Sequence, residues 1–134
     1  MDTTSINTQQ LPQNGKRVLC IEDEYFINEL YDRALTNAGY EVVITTDGEE
    51  GLQLAMTDEY DIILLDIMLP NLIGTEILKR LRAEKPDLRA KIIITTNLEM
   101  GEEDRAAIEA QADGYIVKAE MTPRQMAEFL QQLA

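Results

Sequence analysis

Two short apolar runs restrict the fold of this chain more than any other feature: IILL at residues 62–65 and IIIT at residues 92–95. Each is apolar on both alternating faces, too short for a core helix, and far from the roughly 20 apolar residues needed to cross a bilayer. Strands of this kind are covered on both sides, which calls for a parallel sheet between two layers of helix. At 134 residues the chain is long enough for one domain of that architecture to bury its core without disulfides or structural metals.

The intervening segments supply the helices. Residues 17–21 read as a first strand and 25–38 as a helix, with Ile27, Leu30, Ala34, Leu35 and Ala38 on one face and Gly39 at its end. A strand at 41–45 leads to a capping box, Thr46 with Glu49 or Asp47 with Glu50, and a short helix carrying Leu52, Ala55 and Met56. The third strand lies in DIILLDIMLP, residues 61–70, and Gly74 opens a helix that must stop before Pro86. Residues 91–95 form a fourth strand, about 100–112 a fourth helix with Glu102, Glu103 and Asp104 at its amino end, and 114–117 a fifth strand. The last helix has the clearest start, with Thr122 as cap, Pro123 first in the helix and Gln125 completing a capping box.

Five strands alternating with five helices, joined by right-handed crossovers, favour the sheet order 2-1-3-4-5 of flavodoxin-like, doubly wound α/β folds. Ligands of such sheets bind at the carboxyl ends of the strands, where the order reverses. Residues 1–15 are polar, lack the basic start and apolar centre of a secretory signal, and read as a flexible tail ahead of a domain at 16–134.

A net charge of −13 disfavours direct nucleic-acid binding, and the absence of histidine removes the commonest general base and transition-metal ligand. The single cysteine, Cys20, lies in an apolar run and reads as a small core residue, which fits a reducing cytoplasm. Any chemistry must therefore run on carboxylates, hydroxyls and lysine.

Such groups collect at one edge of the expected sheet. Glu22, Asp23 and Glu24 follow the first strand, Asp66 ends the third, Thr95 and Thr96 the fourth, and Lys118 follows the fifth. Singly, these are ordinary strand-end caps and solvated charges; together they are not. Three carboxylates at about 5 Å repel by about 3 kcal/mol per pair at an effective dielectric near 20. A cation between them relieves this, and an all-oxygen ligand set selects Mg²⁺, or Mn²⁺, over softer metals. Magnesium shares its shell readily with phosphate, so a phosphoryl group is the expected partner. Asp66 is then the nucleophile, with Lys118 and a threonine hydroxyl holding the remaining oxygens.

From Arg17 onward the chain resembles the receiver domain of two-component response regulators. The resemblance is carried by VLCIEDE, DIILLDIMLP, IIITTN and GYIVK, in that order. Asp66 lies 43 residues after Asp23, while Thr96 and Lys118 lie 30 and 52 residues after Asp66. The resemblance implies a phosphorylation-activated signalling switch. In it Asp66 accepts a phosphoryl group from a sensor histidine kinase or a histidine phosphotransfer protein. Mg²⁺ sits among Glu22, Asp23, Asp66 and the backbone carbonyl of Met68, and the spacing selects Thr96 over Thr95 as the switch hydroxyl. Thr96 moves toward the phosphoryl group, Tyr115 turns inward, and the face of helix four, strand five and helix five changes, a face that also offers a homodimer contact. Phe26, Ile27 and Ala119 are expected to meet the kinase.

The sequence departs from that pattern at three places. Ala119 replaces the proline that usually follows the lysine, so a trans peptide or a reshaped loop is expected. Asn97 stands where a small residue is usual, narrowing access to Asp66 or adding a hydrogen bond. The positions that tune hydrolysis hold Met68 and Leu98, neither able to orient water, so slow decay is expected, and an acidic residue at Leu98 should speed it. The expected protein is a stand-alone switch that turns over no external substrate, is cytoplasmic, spans no membrane and signals to a downstream protein. The competing reading is a degenerate receiver that acts as a phosphorylation-independent docking module.

Overall fold

The computed structural model describes residues 14–97 and 99–133. Among these, the elements are β1 (Arg17–Ile21), α1 (Tyr25–Asn37), β2 (Glu41–Thr45), α2 (Gly48–Met56), β3 (Ile62–Asp66), α3 (Gly74–Glu84), β4 (Lys91–Thr96), α4 (Glu102–Gln111), β5 (Gly114–Val117) and α5 (Pro123–Leu133). The sheet is parallel throughout, in the order β2-β1-β3-β4-β5. No helix among the described residues is long and apolar enough to cross a membrane.

Strand residues alternate between two cores. On one side, Leu19, Ile21, Ile63, Leu65, Ile92 and Ile94 meet Leu52, Ala55, Ile77, Leu78, Leu81 and Ile108 of α2, α3 and α4. On the other, Val18, Cys20, Ile62, Leu64, Ile93 and Ile116 meet Tyr31, Leu35, Met126, Ala127 and Leu130 of α1 and α5. Both faces of β3 are therefore covered, and every residue of the strand is buried.

The helix boundaries follow their local chemistry. At the end of α1, Gly39 has φ +100°, and the N–H groups of Gly39 and Tyr40 donate to the carbonyls of Thr36 and Leu35, closing a Schellman turn. At α5 the capping box is reciprocal: Gln125 N–H donates to Thr122 Oγ1 at 3.1 Å, and Thr122 N–H to Gln125 Oε1 at 2.9 Å. At α2, of the two candidate boxes, Asp47 is the cap and takes the Glu50 N–H, but Glu50 turns its carboxylate to the Thr45 hydroxyl instead. Thr46 does not cap.

Several boundaries differ from expectation; α1 ends one residue early, at Asn37, and α4 likewise at Gln111. β3 stops at Asp66 because the chain turns there: Gly74 N–H donates to the Ile67 carbonyl at 2.9 Å and Leu69 N–H to the same oxygen at 3.2 Å. β4 runs one residue further, to Thr96, paired with Val117. α4 begins at Glu102, not Met100, because Gly101 adopts the extended backbone of an N-cap.

Gly74 is fixed by space. A Cβ there would overlap the Asp66 carbonyl oxygen and the Ile67 Cα, both backbone atoms with no freedom to rotate aside. Gly74→Ala is expected to lower the unfolding free energy by about 1–3 kcal/mol, as overpacking does. Urea titration would measure it, and a change within 0.5 kcal/mol, roughly that of an ordinary surface substitution, would contradict the close approach.

Candidate phosphoryl-acceptor site

The carboxyl edge of the sheet gathers the acids. Glu22 directly follows β1 and is 1 % exposed. Its N–H donates to the Thr45 carbonyl at 3.1 Å, its carbonyl accepts from Asn28 Nδ2 at 2.7 Å, and its Oε2 accepts from Glu24 N–H at 3.0 Å. Its Oε1 is buried without a hydrogen bond of ordinary geometry and is met by the Lys118 ammonium as an ion pair. Asp23 beside it is exposed.

Asp66, the last residue of β3, is 3 % exposed. Its Oδ1 accepts the Met68 N–H at 3.2 Å, and its Oδ2 lies 3.1 Å from Lys118 Nζ. Lys118 thus pairs with two buried carboxylates at once. One oxygen each of Glu22, Asp23 and Asp66 lie within 4.8 Å of one another. Three carboxylates face one ammonium.

The electrostatics follow from that imbalance. Burial pushes the Glu22 carboxyl above the usual glutamate range, against the opposing pull of Lys118 and the Glu24 N–H. For Lys118, burial alone would lower the pKa, but Glu22 and Asp66 outweigh it and hold the ammonium above the usual lysine range. The residues fit a hard cation: all donors are oxygen, two of the three are buried, and Lys118 answers only part of the negative charge.

The strand register separates the two threonines. Thr95 stands opposite Asp66 across the β3–β4 ladder. Thr96, one residue on, lines a cavity of about 270 Å³ with Asp23, Glu24, Asp66, Met68, Asn97 and Lys118, and Thr95 does not. A larger groove of about 570 Å³ between α1 and α5 lies away from these acids. Tyr115 on β5 is half-buried, with the Arg105 guanidinium 4.4 Å above its ring and its hydroxyl donating to Met100 Sδ at 3.7 Å. Beyond β5, residues Lys118–Glu120 form a 3₁₀ turn; the peptide bonds there are trans, and the Ala119 N–H donates to Asn97 Oδ1 at 2.8 Å. Phe26 and Met68 are exposed, and Met68 lines the cavity. Leu98 lies outside the described residues.

Asn28 is a supporting residue that the sequence pattern did not single out. It is buried on α1, holds the Glu22 carbonyl, and accepts from the Cys20 thiol at 3.5 Å. The available signal was an amide on the inward face of an amphipathic helix.

A doubly wound parallel sheet in this strand order, with a buried acid and lysine at its carboxyl edge beside a cavity, defines a flavodoxin-like α/β domain. The response regulator receiver domain model matches residues 18–131, and the chain belongs to that family. It is 37 % identical over 112 residues to the alkaline phosphatase synthesis transcriptional regulatory protein PhoP of Bacillus subtilis, an alignment covering 84 % of this chain and 45 % of PhoP. The chain spans less than half the length of the curated relatives it matches. Among solved structures, a CheY-like receiver domain protein from Methanospirillum hungatei JF-1 superposes with TM-score 0.77 and 31 % identity, covering 88 % of this chain and 92 % of that one. The receiver domain of sensor histidine kinase PA1611 from Pseudomonas aeruginosa PAO1 does so with TM-score 0.76 and 26 % identity, covering 88 % and 96 %; its structure holds a magnesium ion in the active site cleft.

Proposed function

We propose that residues 16–134 act in the cytoplasm as a phosphorylation-controlled switch in which Asp66 accepts a phosphoryl group from a sensor histidine kinase or histidine phosphotransfer protein. The observation that carries this reading is the double pairing of Lys118 with Glu22 and Asp66 at the floor of an open, acidic cavity. An Asp66 carboxylate oxygen forms the new P–O bond as the P–N bond of a phosphohistidine breaks. The imidazole nitrogen keeps that electron pair and takes up a proton, and Asp66 is left as an acyl phosphate. Lys118, already beside Asp66, neutralises the transferred oxygens, and Thr96 at the cavity wall supplies a hydroxyl.

Glu22, Asp23, Asp66 and the Met68 carbonyl are the residues that would hold Mg²⁺; the PA1611 receiver domain holds a magnesium ion in its own active site cleft. When bound, the ion supplies positive charge against the phosphoryl oxygens. Thr96 and Tyr115 carry the change to the α4, β5 and α5 face, where Tyr115 starts clasped by Arg105 and Met100. Output passes to another protein; a second copy meeting this face is one such partner. Met68 and Leu98, being apolar, leave the acyl phosphate long-lived.

Incubation with acetyl phosphate, with and without Mg²⁺, followed by intact-mass measurement, tests the reading. A phosphate adduct only in the presence of the metal is expected. A chain that binds neither metal nor phosphate under these conditions would be a docking module instead.

A further inference from the structure

Asn97 and Ala119 are two of the positions where the site departs from the receiver pattern, and in the structure they are partners. Asn97 directly follows Thr96, and Ala119 directly follows Lys118. The 2.8 Å bond from the Ala119 N–H to Asn97 Oδ1 therefore ties together the chain neighbours of the two side chains that flank Asp66. We infer that Asn97 is a positioning residue for phosphoryl acceptance, clamping the turn that aims Lys118 at Asp66. The inference rests on the reading of Asp66 as the acceptor.

The turn needs such a clamp. Lys118–Glu120 is a single 3₁₀ turn between extended residues, Val117 and Met121, and its own closing bond, Met121 N–H to the Lys118 carbonyl, is long at 3.4 Å. A proline at 119 would stiffen the backbone but has no N–H to give, whereas alanine keeps a donor that a neighbouring side chain can take. Asn97 provides the acceptor, which an alanine or glycine at that position would lack. Asn97 lines both the acceptor cavity and a second one beside Tyr115, Arg105 and Met100, which Ala119 also lines.

The test is a double-mutant cycle on the full chain: Asn97→Ala, Ala119→Pro and the two combined, with Ala119→Gly as the variant that keeps the N–H. Initial rates of adduct formation from acetyl phosphate are measured against Mg²⁺ concentration, alongside urea midpoints. Loss of one hydrogen bond is expected to slow Asn97→Ala by about three- to tenfold. The Mg²⁺ half-saturation and urea midpoint should not move, because neither residue is placed among the metal ligands or in the core. Ala119→Pro should slow the reaction similarly and the double variant no further, while Ala119→Gly stays within about twofold of the unsubstituted chain. An Asn97→Ala rate equal to or above that of the unsubstituted chain overturns the clamp, as does full multiplication of the two single effects. If the unsubstituted chain takes up no phosphate, the reading of Asp66 falls, and the clamp with it.

Discussion

Asp66→Asn is expected to take up no phosphate from acetyl phosphate in the presence of Mg²⁺. The amide occupies the same space and can still accept the Met68 N–H that Asp66 Oδ1 takes at 3.2 Å, so β3 and its turn are retained. It carries no anionic oxygen to attack phosphorus, and the neutral amide is a poor nucleophile. Folding should not suffer. The substitution removes one of three clustered carboxylates and leaves Lys118 its ion pair with Glu22, so the urea midpoint is expected to hold or rise. Intact-mass spectra of both proteins, read beside their unfolding curves, check this. An adduct forming on Asp66→Asn as fast as on the parent would move the acceptor to another residue.

Lys118→Met has the largest expected effect on stability. The lysine side chain is 5 % exposed and pairs with carboxylates that are themselves 1 % and 4 % exposed. Removing one partner of a buried pair leaves uncompensated charge, which costs about 3–5 kcal/mol. That loss should appear in urea titrations run with a chelator and shrink when Mg²⁺ is added, because a cation can neutralise the same oxygens. Metal-dependent rescue separates this effect from a packing defect, which Mg²⁺ would leave unchanged.

The pH dependence of the parent has a definite sign. The folded-state pKa of Lys118 lies above its unfolded value, so the stabilisation from this pairing is complete below the ordinary lysine range. It fades only as pH rises through the raised value. Glu22 is also raised, and the sign is the same: the folded protein holds this proton more tightly than the unfolded chain, so stability falls as pH climbs from the usual glutamate range through the raised value. A stability profile across neutral to strongly alkaline pH that showed no alkaline decline would contradict the Lys118 pairing.

The order of the strands and most of the acceptor edge were legible in the sequence because they rest on local signals. Two-faced apolar runs mark buried strands, and polar residues placed directly after them fall at one edge of a parallel sheet. The capping box at Thr122 and the glycine at the end of α1 were readable for the same reason, since each motif is complete within a few residues. The Asn97–Ala119 bond was not, because it joins residues from separate loops whose approach depends on the whole sheet. The hold of Asn28 on the Glu22 carbonyl and the early stop of β3 are likewise tertiary, the latter set by Gly74 reaching back to Ile67. At Thr46 and Asp47 local chemistry offered two caps, and the Asn71 amide lies on the chosen one, Asp47.

The close seat of Gly74 against the Asp66 carbonyl bears on how a modified Asp66 could be accommodated. With α3 lodged behind its backbone and β4 paired beside it, Asp66 behaves as an anvil and has no room to recoil. Under the proposed switch, the displacement that a newly attached group demands would be delivered outward through the Asn97–Ala119 link, away from the stiff centre of the sheet.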